Sequence, residues 1–425
     1  MTLLVFIVSL IGAMSLGVPV AFALIFCGVI LMSFMGMFNT QIIAQNMLIG
    51  ADTFTLLAIP FFILAGELMN AGGLSKRIIE FAITFVGHIR GGLGLVAIIA
   101  AVIMASISGS AAADTAALAA ILIPMMARAG YNVPRSAGLI AAGGVIAPVI
   151  PPSMAFIIFG VAANVSISQL FMAGIVPGLL MGLSLVITWM IVAGRDNVQT
   201  LPRAPWTDRR RSIGRAAWAL GMPVIILGGI RMGVVTPTEA AVIAAFYALF
   251  VGMVVYRELK PRDLLGVLIA AGRTTAAIMF LVCAALVSAW LITAANIPNE
   301  IAGYIAPLIE NPKLLMLVIM LLILVVGTAL DLTPTILILT PVLMPIVIKA
   351  GIDPVYFGVM FIMNCCIGLL TPPVGVVLNV VSGVGRVPLG KVIRGVWPFL
   401  IAQILVILLL VAFPGIVIVP ARWFY

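Results

Sequence analysis

Apolar residues fill the chain from Leu3 to Val419 in long runs that lack the two-residue alternation of strands. Such runs predict membrane-spanning helices, because in hydrocarbon each backbone N–H and C=O must find its partner within the segment. The polar positions therefore carry the information. Some collect in short basic stretches between runs, and others interrupt a run at mid-length. The stretch SISGSAAADTAA, Ser106 to Ala117, sets four hydroxyls, a glycine and an acid between the apolar arms Leu93 to Ala105 and Leu118 to Ala127. Each arm is about a dozen residues, against the ~20 a spanning helix needs.

The basic stretches orient the chain. Lys76 to Arg90, Arg195 to Arg215, Arg257 to Arg273 and Arg386 to Arg394 read as cytoplasmic, which leaves the segments around Asn164, Thr236 and Glu300 to Lys313, poor in Lys and Arg, outside. The stretch at Ser106 lies between two basic flanks, ending at Arg90 and running from Arg128 to Arg135, so the chain must enter and return on one side. That predicts a re-entrant hairpin with a polar tip near mid-membrane. Leu314 to Ile348, interrupted by GTALDLTPT (Gly327 to Thr335), reads as a second hairpin entering from outside. Leu3 to Phe34 is too long for one span and short for two, with a break at Gly17 and Pro19, and the side of the N-terminus stays open.

A shift of 221 residues lays Pro124 on Pro345, Gly130 on Gly351, and Pro151 and Pro152 on Pro372 and Pro373, with the two polar tips in corresponding places. Because the two copies enter from opposite sides, the repeat is inverted, as in secondary transporters whose site lies between the repeats at the bilayer midplane. After each hairpin comes an apolar helix broken at mid-length, Ser136 to Gly160 around GGVIAPVIPPS and Val355 to Ser382 around NCCIGLLTPPVG. Proline removes a backbone donor and glycine lets the chain leave helical geometry, so carbonyls are freed. Groups of that kind at membrane depth must line a cavity or be buried in protein. Freed carbonyls with hydroxyls are hard oxygen ligands suited to sodium, and half-helix N-termini suit a carboxylate.

An acid inside a membrane helix normally has a partner or a task. Asp114 precedes TAALAAIL and is expected first to cap that half-helix, with ion ligation second; Asp331, followed by LTPT, has the same two readings. Glu67 and Glu239 are expected to make structural hydrogen bonds near helix ends.

Composition agrees with a membrane protein: 64% of the 425 residues are hydrophobic and 8% charged, against about 25% charged in ordinary soluble domains. The net charge of +9 comes from the loops and expresses topology, so no nucleic-acid partner is implied. Met1 runs into apolar sequence without a basic start or a small-residue cleavage site, and the N-terminus is expected to be retained. Cys27, Cys283, Cys365 and Cys366 lack metal-type spacing, and His88 sits in a basic loop. No nucleophile-and-base set is apparent, so the chain is not expected to be an enzyme, and no G-x-x-x-x-G-K-[ST] loop provides for ATP.

The phrases LLAIPFFILAGELMNAGG (from Leu56), MASISGSAAADTAA (from Met104), APVIPPS (from Ala147), GVVTPTEAAV (from Gly233) and GLLTPPVG (from Gly368) resemble the large membrane subunit of tripartite ATP-independent periplasmic (TRAP) transporters, nearly end to end. The wording is most similar to permeases for sugar acids of the 2,3-diketogulonate type. The resemblance implies an all-α polytopic protein of the bacterial inner membrane, an elevator-type transporter with two re-entrant hairpins and two broken helices in an inverted repeat. It implies sodium as coupling ion with no tightly bound cofactor, and as partners a small four-helix membrane subunit, a periplasmic solute-binding protein and a small organic acid.

On this reading residues 1–52 are N-terminal scaffold helices and 53–194 the first repeat, with a hairpin at 91–128 and a broken helix at 136–160. Residues 195–215 are a basic cytoplasmic loop, and 216–263 further scaffold with TPTEAA. Residues 264–420 are the inverted repeat, with a hairpin at 314–348 and a broken helix at 355–382. The family's sodium positions match Ser106, Ser108, Gly109, Gly144, Pro148, Gly327, Asp331, Asn364, Gly368 and Thr371. The hydroxyls of Ser110, Thr115, Ser153, Thr333 and Thr335 are the candidate substrate contacts. A stand-alone sodium/dicarboxylate symporter of similar inverted-hairpin design is the alternative.

Overall fold

The computed structural model describes residues 1–193, 200–304 and 306–423, so the start of the Arg195 to Arg215 stretch lies outside the described residues. Those residues are helical almost throughout, and nine of their helices are long and apolar enough to cross a membrane. Leu3 to Phe34 resolves into two short helices, α1 (Thr2–Ser15) and α2 (Val20–Phe34). They turn at Gly17 (φ +80°) and run antiparallel, with Ser9 Oγ donating to Cys27 Sγ at 3.1 Å. Thr2 Oγ1 donates to Glu300 Oε2 at 3.4 Å, which puts the first residues on the Glu300 side, assigned above to the outside.

From there α3 (Thr40–Ala51), a short 3-10 turn (Phe54–Leu57) and α4 (Ala58–Ala71) lead towards the basic face. Next, α5 (Leu74–Val86) is amphipathic: Leu74, Ile78, Ile79 and Ala82 are buried while Lys76 and Glu80 face outward, the pattern of a helix lying in an interface. Arg77 fixes it to the later basic turn ending at Lys260, pairing with Glu258 at 2.9 Å and lying 3.8 Å over the Tyr256 ring.

The first hairpin is α6 (Gly92–Ser108) and α7 (Ala111–Arg128). The helix after it is broken into α8 (Val133–Gly144) and α9 (Met154–Ala163), and α10 (Ile167–Ala193) returns to the basic side. Three long helices join the two halves: α11 (Trp206–Arg231), α12 (Pro237–Phe250), which continues as a π-turn (Val251–Val255), and α13 (Pro261–Ala294). The TPTEAA phrase between the first two is a capping box, in which Thr236 Oγ1 accepts from the Glu239 N–H and Glu239 Oε2 accepts from the Thr236 N–H.

The second half repeats the order. Short helices α14 (Ile297–Tyr304) and α15 (Ala306–Ile309) precede a hairpin of α16 (Pro312–Ala329) and α17 (Leu332–Lys349). A broken pair follows, α18 (Pro354–Leu370) and α19 (Val376–Gly385), then α20 (Leu389–Ala412) and α21 (Gly415–Trp423). Helices α7 and α17 begin and end at positions 221 residues apart, as do the first residues of α8 and α18. Helix α18 is buried from Tyr356 to Leu370, and α8 from Ser136 to Gly144, so both broken helices form the core on which the hairpins rest. One basic boundary moves: the stretch read as reaching Arg273 ends at Lys260, and Arg273 belongs to α13. The helix pattern continues through it because Pro261 starts α13 and no further proline separates the two residues.

Candidate functional site

Both tips reach the break of their own partner helix. Gly109 ends α6 in the left-handed region (φ +61°), and a Cβ on it would stand 3.1 Å from the Pro152 carbonyl oxygen and 3.4 Å from the Met154 nitrogen. The first tip therefore packs on the unwound residues 145–153 through a position where only glycine fits comfortably. In the second half, a Cβ on Gly368 would lie 2.7 Å from the Gly327 carbonyl carbon, so tip and broken helix meet backbone to backbone. The Pro151–Pro152 and Pro372–Pro373 bonds are both cis.

The candidate sodium residues gather in these two contacts. Ser106 Oγ donates to the Ile103 carbonyl at 2.6 Å, and Ser108 Oγ donates to Asp114 Oδ1 at 2.5 Å. Gly144 faces the return helix of the same hairpin, where a Cβ would overlap Thr115 Oγ1. Around the second tip, Thr371 Oγ1 donates to the Ile367 carbonyl at 2.7 Å and the Asn364 amide donates to the Met320 carbonyl. Asn364 is thereby anchored to α16, with its own oxygen left as a potential ligand. Cap assignments differ from expectation. Ser110, not Asp114, caps α7, its Oγ accepting from the Ala113 N–H at 3.4 Å, while Asp114 is 1% exposed inside the first turn. Asp331 does cap α17, accepting from the Leu332 N–H at 2.8 Å.

Between the tips lies a cavity of about 600 Å³. Residues of both hairpins, both broken helices and α13 line it, and Ser110, Arg273, Thr274, Asp331 and Thr333 are its polar side chains. Of the candidate substrate hydroxyls, those of Ser110 and Thr333 belong to residues lining this cavity. Thr115, Ser153 and Thr335 are completely buried and turn into the protein, none of them lining the cavity. Ser153 caps α9 and donates to the Pro148 carbonyl at 2.5 Å, and Thr335 Oγ1 donates to the Asp331 carbonyl at 2.8 Å. The Ser153 hydroxyl thus holds the first break, and the Thr335 hydroxyl holds the start of α17 at the second tip. Arg273 was missed, because its basic neighbours made it look like loop; its place inside an apolar, capped helix was the available signal.

Comparison with known proteins fits this arrangement. Residues 7–416 match the model of the tripartite ATP-independent periplasmic transporter, DctM component. The chain belongs to the DctM family. It is 55% identical to the 2,3-diketo-L-gulonate TRAP transporter large permease protein YiaN of Escherichia coli (strain K12), covering 100% of both chains. It is 41% identical to the sialic acid TRAP transporter large permease protein SiaM of Vibrio cholerae (95% of this chain, 94% of the relative). With the C4-dicarboxylate large permease DctM of Pseudomonas aeruginosa it shares 39% identity over 88% and 87%. Among solved structures, the Alcanivorax borkumensis YdaH transporter shares the fold, with a TM-score of 0.63 at 15% identity, over 87% of this chain and 86% of that one. This DctM-family chain is therefore a multi-pass inner-membrane protein of the transport type, built on an inverted repeat.

Proposed function

We propose that the chain carries out sodium-coupled uptake of a small hydroxylated organic acid by alternating access of elevator type. In this reading a periplasmic binding protein delivers the substrate and a small four-helix membrane subunit completes the permease. The observation that carries it is the cavity bounded by both tips and both helix breaks, a place where half-helix N-termini and hydroxyl groups can donate to an anion at membrane depth. Relatives named for 2,3-diketo-L-gulonate, sialic acid and C4-dicarboxylates support an organic acid as cargo.

Sodium is a second substrate, held where each tip meets its broken helix. Ser106, Ser108 and Gly109 with Gly144 and Pro148 form one candidate set, and Gly327 with Asn364, Gly368 and Thr371 the other, Asp331 being left to the cavity it lines. Sodium bound there would neutralise oxygen ligands and draw the tips onto the breaks, closing the cavity around the cargo. Movement of a closed unit would then carry ion and anion together.

The test is uptake into proteoliposomes holding the chain, its small subunit and the binding protein. Uptake should require an inward sodium gradient and should stop when the gradient is collapsed. Uptake that continues unchanged overturns sodium coupling, and full uptake by the chain alone favours a stand-alone symporter.

A further inference from the structure

Arg273 is the one cationic side chain, and Asp331 the one acidic side chain, among the described residues lining the cavity. Arg273 follows twelve residues of α13 that begin at Pro261, so it stands about 18 Å along the helix from the cytoplasmic turn. It is exposed on the cavity side of α13, and neither ion pair of the described residues involves it. A cation at that depth in an apolar helix calls for an anion. Asp331 lines the same cavity from another element, the second tip, where it caps α17. One of its oxygens accepts from the Leu332 N–H, so the acid uses up the positive end of α17 and leaves acceptor positions towards the cavity. Ser110, Thr274 and Thr333 add neutral hydroxyls to the same lining.

The geometry points to a polarised site in which Arg273 takes the single carboxylate of the cargo and Asp331 accepts from its hydroxyls, so that polyhydroxylated monocarboxylates are admitted and dicarboxylates disfavoured. Guanidinium and carboxylate match as a two-bond fork. A carboxylate accepts hydroxyl protons but repels a second carboxylate, so Asp331 selects against a cargo charged at both ends. This deepens the proposed function, since it rests on the cavity taking an organic anion, and it assigns the specificity to two residues on different elements.

The test reads binding rather than uptake. Ala277, on the cavity wall, is replaced by cysteine (Ala277→Cys) after Cys27, Cys283, Cys365 and Cys366 are replaced by alanine, and the permease is reconstituted at fixed high sodium. Protection of the introduced thiol from alkylation is titrated with gluconate and with succinate. Gluconate should protect at about tenfold lower concentration than succinate, the scale of one recognised polar contact. Arg273→Gln should raise the gluconate requirement by about tenfold, and Arg273→Lys should restore part of it. Asp331→Asn should bring the two probes within about threefold of each other. No protection by gluconate, or a requirement unchanged by Arg273→Gln, overturns the proposal. A ratio of succinate to gluconate left unchanged by Asp331→Asn also overturns it, because an acid that served only sodium would weaken both probes alike. Failure of sodium-driven uptake with protection intact would instead remove the coupling mechanism and leave this assignment standing.

Discussion

Ser110 takes the cap of α7 that the sequence suggests for Asp114, and Asp114 is held elsewhere. Ser110 has the extended backbone of an N-cap and serves the first turn of α7, whereas Asp114 sits one turn further on, held by Ser108 across the tip. The two hydroxyls should therefore differ in weight. Ser110→Ala removes a cap, which costs about 1 kcal/mol. Ser108→Ala removes a partner of a fully buried carboxyl group whose other oxygen already lacks one among the described residues, and leaving such an acceptor unsatisfied costs roughly 1–3 kcal/mol. Thermal unfolding of the purified permease in detergent checks the order, with Ser108→Ala expected to melt lower than Ser110→Ala. The reverse order would mean that Asp114 finds another partner once Ser108 is gone. What hid this from the sequence is direction: Asp114 and Ser110 are one helical turn apart, and only the path of the tip decides which oxygen reaches the freed N–H groups.

At the scale of elements, the hairpins and breaks were legible because they are written in residue types with strong backbone consequences. Double prolines, glycines and clustered hydroxyls mark each interruption, and the repeat shift of 221 residues is reproduced by the ends of α7 and α17. Arg273 was not legible as a site residue, since facing a cavity depends on how α13 packs against elements remote in sequence. The same holds for Thr115, Ser153 and Thr335, whose types suit a substrate site but whose hydroxyls are buried against α8, hold the first helix break and hold the second tip, in that order. The contact of Gly327 with Gly368 gives the sharpest prediction at this scale. Gly368→Ala adds a Cβ 2.7 Å from backbone that cannot rotate away, and such overpacking costs about 1–3 kcal/mol. Gly383→Ala in α19 meets no atom within 4 Å and should be tolerated. Sodium-dependent uptake and melting temperature should both fall for the first variant and hold for the second. Equal behaviour of the two would show that the second tip does not need to seat on its broken helix.

For the whole molecule, orientation follows from where the charges fall and from one long helix. Helix α13 is 34 residues, about 51 Å, and links the basic turn ending at Lys260 to the Lys- and Arg-poor segment that contains Glu300. Since the hydrocarbon core is about 30 Å thick, this helix alone separates the two faces. The positive-inside rule assigns the basic face to the cytoplasm and hence Glu300 to the outside, and with that assignment the hydrogen bond from Thr2 to Glu300 predicts that the first helix begins outside as well. The outward face is also the one on which a periplasmic partner can dock, so its assignment bears directly on delivery of cargo. In cells, a membrane-impermeant thiol reagent should label Thr2→Cys and Glu310→Cys without permeabilisation of the inner membrane. It should reach Lys391→Cys, in the exposed first turn of α20, only after that membrane is opened. Labelling of Lys391→Cys in intact cells together with protection of Glu310→Cys would invert the molecule. Protection of Thr2→Cys alone would leave the orientation in place and break only the link between α1 and Glu300.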